Sequence, residues 1–183
     1  PREYAVKSVE EIAEALTLKS KVLFAADIEG NVYIPQQEKF NVVIDGRGYK
    51  FDGTFTIDGK NRNDGAETLT LKNINFYTES TDEMTFISCP STYNGVNERY
   101  SHNVTIDGCT FRASTLTDKV GAISAQKTYH LTVKNCEAYN IHSLLQVQSC
   151  DNDVTVEKVK VENCFSGISV GNTKTTSISN ADI

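Results

Sequence analysis

The stretch VTIDGCTF, residues 104–111, returns as LTVKNCEA at 131–138. Each copy alternates apolar and polar side chains, bends at Gly or Asn, and continues through a cysteine into a second short segment. Alternation with period two marks a strand that keeps one face inside. The five-residue phrase also occurs as VVIDG at 42–46, LTLKN at 69–73, VTVEK at 154–158 and TSISN at 176–180. Phrases recurring every 22 to 35 residues identify a repeat architecture, and that reading governs everything else.

The fifth residue of the phrase is Gly46, Asn73, Gly108, Asn135, Lys158 or Asn180. Gly and Asn reach left-handed backbone angles at the least cost, so this position is expected to be a sharp bend. Lys158 departs from the rule. After the bend comes a second apolar segment, such as Cys109–Phe111 or Cys136–Ala138. A third follows in most units: TFTI at 54–57, MTFIS at 84–88, GAISA at 121–125, LLQVQ at 144–148 and GISV at 167–170. Three short strands per repeat describe a triangular coil whose strands pair in parallel with those of the next coil, ~4.8 Å away. The register then predicts that Cys109 stacks on Cys136. It also places Asn73 and Asn135 on either side of Gly108, where amide groups bond along the stack.

The N-terminus reads differently. Ser8-Val9-Glu10-Glu11 is a capping box, and Val9, Ile12, Ala13 and Leu16 recur at helical spacing. Residues 1–20 are therefore expected to carry an amphipathic capping helix, at about 8–18, and residues 21–183 the solenoid of about six coils. The first coil falls at 22–35. The last phrase ends partway round a coil, so a further chain segment or a homo-oligomer is expected to cover that end.

Composition narrows the function classes. At 39% hydrophobic and 23% charged the chain is an ordinary globular one, and its net charge of −6 is wrong for nucleic acid, which needs a basic surface. No apolar run approaches the ~20 residues of a membrane span, and no signal peptide is visible. Production in the cytoplasm or in a virion is expected rather than secretion. Five cysteines include no C-x-x-C pair, and His102, His130 and His142 are too scattered for a zinc signature. The cysteines read as buried, reduced side chains, with a single disulfide as the alternative. No metal or cofactor is expected.

A cap helix followed by irregular coils with an asparagine-lined bend resembles the right-handed parallel β-helix of the pectate-lyase-like superfamily, over roughly 20–183. The resemblance implies an all-β solenoid. It also implies a role among polysaccharide lyases, hydrolases and epimerases, or among the glycan-binding spikes of bacteriophages. The enzymes' motifs do not carry over. Asn172-Thr173-Lys174 lacks the acid of the polygalacturonase Asn-Thr-Asp, and no Asp-Asp or Gly-His-Gly occurs. Ile106-Asp107-Gly108 stands where a pectate lyase has Trp-x-Asp-His, and neither Arg-x-Pro-x-x-Arg nor the epimerase Asp-Pro-His is present.

Candidate sites therefore rest on loops, where function sits on a rigid scaffold. The insertion at 90–102 gathers Tyr93, Arg99, Tyr100 and His102, whose aromatic faces and planar donors suit a glycan. The alternative is a loop packing its own tyrosines over the wall. The loops 77–83 and 112–119 leave equivalent corners of adjacent coils, which brings Asp82 or Glu83 towards Asp118. Paired carboxylates serve acid/base cleavage of a glycoside or bind calcium; the alternative is solvated acids neutralised by Arg112 or Lys119. His130 reads as corner packing, and Asp151-Asn152-Asp153 as a tight turn. The leading expectation is a non-catalytic structural or glycan-recognising module, as in a phage tail, capsid appendage or adhesin, assembled as a trimer in the spike-like case. The alternative is a polysaccharide lyase or glycoside hydrolase acting through loop carboxylates.

Overall fold

The computed structural model describes residues 2–18, 21–35, 41–60, 67–91, 100–101 and 103–183. Its strands stack in parallel on three faces. The first face takes Lys21–Phe24, Asn41–Asp45, Thr68–Lys72, Asn103–Asp107, Thr128–Lys134 and the leading parts of Cys150–Glu162 and Thr173–Asp182. The second takes the leading halves of Ile28–Ile34 and Lys50–Ile57, then Asn75–Thr78, Thr110–Ala113, Glu137–Tyr139 and the end of Cys150–Glu162. The third takes the trailing halves of Ile28–Ile34 and Lys50–Ile57, then Met84–Cys89, Val120–Ala125, Leu145–Val147 and Ile168–Val170. Val104 pairs with Leu69 on one side and Leu131 on the other, so the repeated phrases are immediate neighbours. This is an all-β parallel solenoid.

Stacking in register turns each inward position into a column. Phe51, Phe76 and Phe111 share one such column, with ring centroids 5.7 and 5.0 Å apart, and all three are fully buried. Each buried phenylalanine contributes about 1.5–3 kcal/mol of transfer free energy, so the column is a main axis of the core. Valine, isoleucine and leucine of the first face fill the opposite wall, among them Val42, Leu69, Val104, Leu131 and Val154.

The corner between the first and second faces is where the sequence alternates Gly and Asn. Asn73 and Asn135 both have φ near 54° and Gly108 has φ 70°. Asn73 Nδ2 donates to Asp45 Oδ1 at 3.3 Å, and Asn135 Nδ2 donates to Asp107 Oδ1 at 2.9 Å. Each amide thus bonds the last polar residue of the phrase one coil earlier. Lys158 holds φ 54° as well, so the stack imposes the bend on a residue poorly suited to it. Gly46 differs from the expectation: there the left-handed angles fall to Arg47 (φ 53°) and Gly48 (φ 82°). Gly46 is required for closeness instead, because a Cβ there would lie 2.7 Å from the Asn73 carbonyl oxygen.

The helix runs Val9–Thr17, with Ser8 as N-cap accepting from Glu11 N at 3.2 Å. The Glu11 side chain reaches one residue further back than a capping box requires and accepts from Lys7 N at 2.8 Å. Ile12, Ala15 and Leu16 are buried, as an end plug needs. Glu3–Val6 adds a strand beside Lys21–Phe24 that the sequence reading did not contain. All five cysteines are free thiols; Cys89, Cys109, Cys136 and Cys150 are buried and Cys164 is half-buried.

Candidate functional site

The corner between the second and third faces changes character along the solenoid. In the early coils the chain turns it without inserting a residue, at Gly30 and Gly53 (φ 128° and 154°). A Cβ on Gly53 would stand 1.7 Å from the Gly30 carbonyl oxygen, so the coils touch backbone to backbone there. Further along, segments 79–83 and 114–119 leave at the corresponding corner, between Thr78 and Met84 and between Ala113 and Val120.

Short-range bonds hold these segments in shape. Ser80 N donates to Thr78 Oγ1 at 3.0 Å, Asp82 N to Ser80 Oγ at 3.1 Å, and Lys119 N to Thr117 Oγ1 at 3.2 Å. Met84 N donates to the Lys119 carbonyl at 3.1 Å and ties one segment to the next. The result is a depression of about 320 Å³ lined by Glu83, Met84, Thr85, Asp118, Lys119, Gly121, His142 and Gln146. Gly121 leaves its floor open: the nearest atom to an added Cβ is Thr85 Oγ1 at 3.8 Å.

Glu83 and Asp118 therefore border one depression, while Asp82 is not part of its lining. Lys119 stands in the same depression, but Arg112 does not; its guanidinium lies over the Tyr139 ring at 4.4 Å. His142 and Gln146 belong to the following coil, and sequence reasoning missed them. His142 N donates to the Val120 carbonyl at 2.7 Å, and its Nδ1 is 3.1 Å from Ser143 Oγ, which leaves Nε2 for a ligand. Carboxylates, an ammonium, an imidazole, an amide and a hydroxyl around an open floor make a surface for gripping hydroxyl groups.

Tyr93, Arg99 and His102 lie outside the described residues. Tyr100 begins the strand Tyr100–Ser101, which runs antiparallel to Gly59–Lys60, with Tyr100 opposite Lys60. The His130 ring is engaged on both sides: Nδ1 donates to Asp153 Oδ1, and Nε2 accepts from Asn152 Nδ2 at 3.2 Å. The Tyr129 ring meets it edge-on. Asp151-Asn152-Asp153 is not a turn. It lies within the strand Cys150–Glu162, where the register shifts between Cys150 and Asp153, and that bulge aims Asn152 and Asp153 at the imidazole. Among the described residues, no group of three or more His, Cys, Asp or Glu is placed to hold a metal ion.

Parallel coils, a cap helix and bends at Asn define the class as a β-helix repeat protein. A family model described as a right-handed β-helix region matches residues 28–183, and the chain belongs to that family. No curated protein and no solved structure matches the chain. Among the described residues, no helix is long and apolar enough to cross a membrane.

Proposed function

We propose that the protein is a glycan-recognising β-helix module of the kind carried on a phage appendage or an adhesin, with the third-face depression as a sugar-gripping site. The observation that carries this reading is the convergence of Glu83, Asp118, His142 and Gln146 on one open, polar depression: Gln146 stands on the strand Leu145–Val147, and Glu83 and Asp118 lie one and two residues before the strands Met84–Cys89 and Val120–Ala125. Sugars present hydroxyls in fixed array, and side chains carried on a backbone held by hydrogen bonds lose less freedom on binding them. Assembly into homo-oligomers belongs to the same proposal and is tested by light scattering.

The test is calorimetric titration with cellohexaose, xylohexaose, mannohexaose and hexagalacturonate. Saturable binding of one of them is expected, weakened about two- to tenfold in Gln146→Ala and His142→Ala, the range for one lost hydrogen bond. Absence of saturable binding to all four refutes the reading.

A second reading, polysaccharide cleavage, is favoured by one specific observation: two carboxyl side chains and an imidazole border the same depression. Glycoside hydrolysis requires two carboxylates flanking the bond, and elimination requires a base beside the sugar carbon acid. This reading expects new reducing ends or unsaturated products from a polysaccharide, lost in Glu83→Gln or Asp118→Asn. Binding without any product separates the first reading from the second.

A further inference from the structure

The outward residues of the second face stack in two rows. One row passes through Asn75, Thr110 and Glu137. The other passes through Tyr77, Arg112 and Tyr139. Three depressions adjoin across these rows. The first, about 650 Å³, runs from the Asn73 corner to Asn75 and Thr110. The second, about 350 Å³, shares Asn75 and Thr110 with the first and adds Tyr77, Arg112, Glu137 and Tyr139. The third, about 330 Å³, shares Arg112 and Tyr139 with the second and ends at Asn140 and Asn163. Because neighbours share lining residues and each depression is displaced one coil from the last, the three form one furrow that runs obliquely over the face, from corner to corner and along the solenoid.

We infer that this furrow is a second saccharide-binding track, which takes an extended, neutral oligosaccharide. The inference rests on the glycan-recognising reading but on a different face and on different residues. Tyr77 and Tyr139 flank Arg112 in consecutive coils, so they stand ~9.6 Å apart, two strand spacings. That is about the span of two sugar units in an extended chain, so alternate rings meet the parts of the tyrosine rings that Lys50, Arg112 and Lys160 leave uncovered. The intervening guanidinium offers planar donors between them.

The polar parts of the row are already fixed. Arg112 lies over Tyr139 at 4.4 Å, Lys50 lies over Tyr77 at 5.2 Å, and Tyr139 Oη donates to Glu137 Oε2 at 2.6 Å. Binding groups held in place before the ligand arrives lose little entropy when it does. The furrow's charges also decide the ligand class. Arg47, Arg112 and the lysines over the two tyrosines, Lys50 and Lys160, are offset by Asp45, Glu137 and Glu162, so both signs of charge line the furrow. No field of one sign is present to select a polyanion, while Asn75 Nδ2 and Asn163 Oδ1, the amide ends not bonded to Thr110 or Asn140, suit hydroxyls.

The same four hexasaccharides test the track, titrated into wild type, Arg112→Ala, Tyr77→Ala, Tyr77→Phe, and the His142→Ala/Gln146→Ala pair. A neutral hexamer is expected to bind at two sites. The third-face pair removes one, and Arg112→Ala and Tyr77→Ala weaken the other about tenfold. Tyr77→Phe keeps the stacking ring and stays within about twofold, which separates lost contact from lost fold. Binding at a single site, abolished by the third-face pair and indifferent to Arg112→Ala, overturns the track and leaves the proposed function standing. Preference for hexagalacturonate at the Arg112-dependent site overturns the neutral assignment. Absence of binding to all four overturns both.

Discussion

The side chain of Asn73 sits over Gly108: an added Cβ at 108 would meet Asn73 Oδ1 at 2.6 Å. The choice of Gly at 108 is therefore steric as well as conformational. Asn73 reaches towards Asp45 and fills the space above its neighbour in the next coil, so the neighbour must be bare. Gly108→Ala brings both a clash and a left-handed angle at φ 70°. It is expected to destabilise by about 2–3 kcal/mol in chemical denaturation. In the Asn73→Ala background the clash goes and only the backbone cost of about 1–2 kcal/mol remains. Equal losses in both backgrounds would show that Asn73 does not crowd position 108.

Lys158 makes the reverse case. It holds φ 54° at a position where the other coils use Gly or Asn. Its side chain is exposed, so replacement removes little packing. Lys158→Gly or Lys158→Asn is expected to raise stability by about 1 kcal/mol, the left-handed penalty a lysine carries. An unchanged denaturation midpoint would mean that the lysine's penalty is offset by contacts of its stem.

These two corners show what a sequence can and cannot reveal about such a fold. The strands, the parallel order, the helix and the Cys109–Cys136 neighbourhood were legible because inward residues repeat with period two and each phrase carries its own bend. Gly46 was misread because closeness and left-handedness both select glycine, and only coordinates separate them. The Tyr77–Arg112–Tyr139 row stayed hidden for another reason. Its members stand at unequal sequence spacings, 35 and 27 residues, because insertions differ between coils. His142 and Gln146 were missed because a depression at a corner borrows from the coil after it. The bulge at Cys150–Asp153 has no local signature, since a DND triplet serves a turn equally well.

Thiol reactivity reads the corner from inside. Burial pushes the Cys109 thiol well above its ordinary range, and Cys136 beside it pushes further. Cys136 Sγ donates to the Lys134 carbonyl at 3.2 Å. Burial also raises Cys164, but that side chain is half-exposed. The thiolate is the reactive form, so burial and a raised value together slow alkylation. Under native conditions iodoacetamide is expected to modify Cys164 first, with Cys109 and Cys136 following only at the rate of unfolding. Peptide mapping that finds Cys109 labelled as fast as Cys164 would mean that the corner opens on its own.

The Tyr139 phenol reports the second-face row by titration. Its bond to Glu137 is the main cause of a value pushed up from 10.0 to about 12, with burial and the charges of Glu137 and Glu162 adding and Arg112 opposing. The neutral phenol donates to a carboxylate; ionised, it would face that carboxylate as a like charge. The folded value lies above the unfolded one, so the bond's stabilisation is complete below pH about 10. It is lost as pH climbs through about 12. A difference titration of phenolate absorbance, wild type minus Tyr139→Phe, isolates this tyrosine from the other seven of the eight in the chain. It is expected to show a transition near 12 that moves towards 10 in Glu137→Gln, because the amide removes the negative charge while keeping an acceptor. In Arg112→Ala the transition rises further, since the cation over the ring favours the phenolate. A transition near 10 in wild type would show that Tyr139 and Glu137 are not paired in solution, and would remove one of the fixed groups on which the second-face track depends.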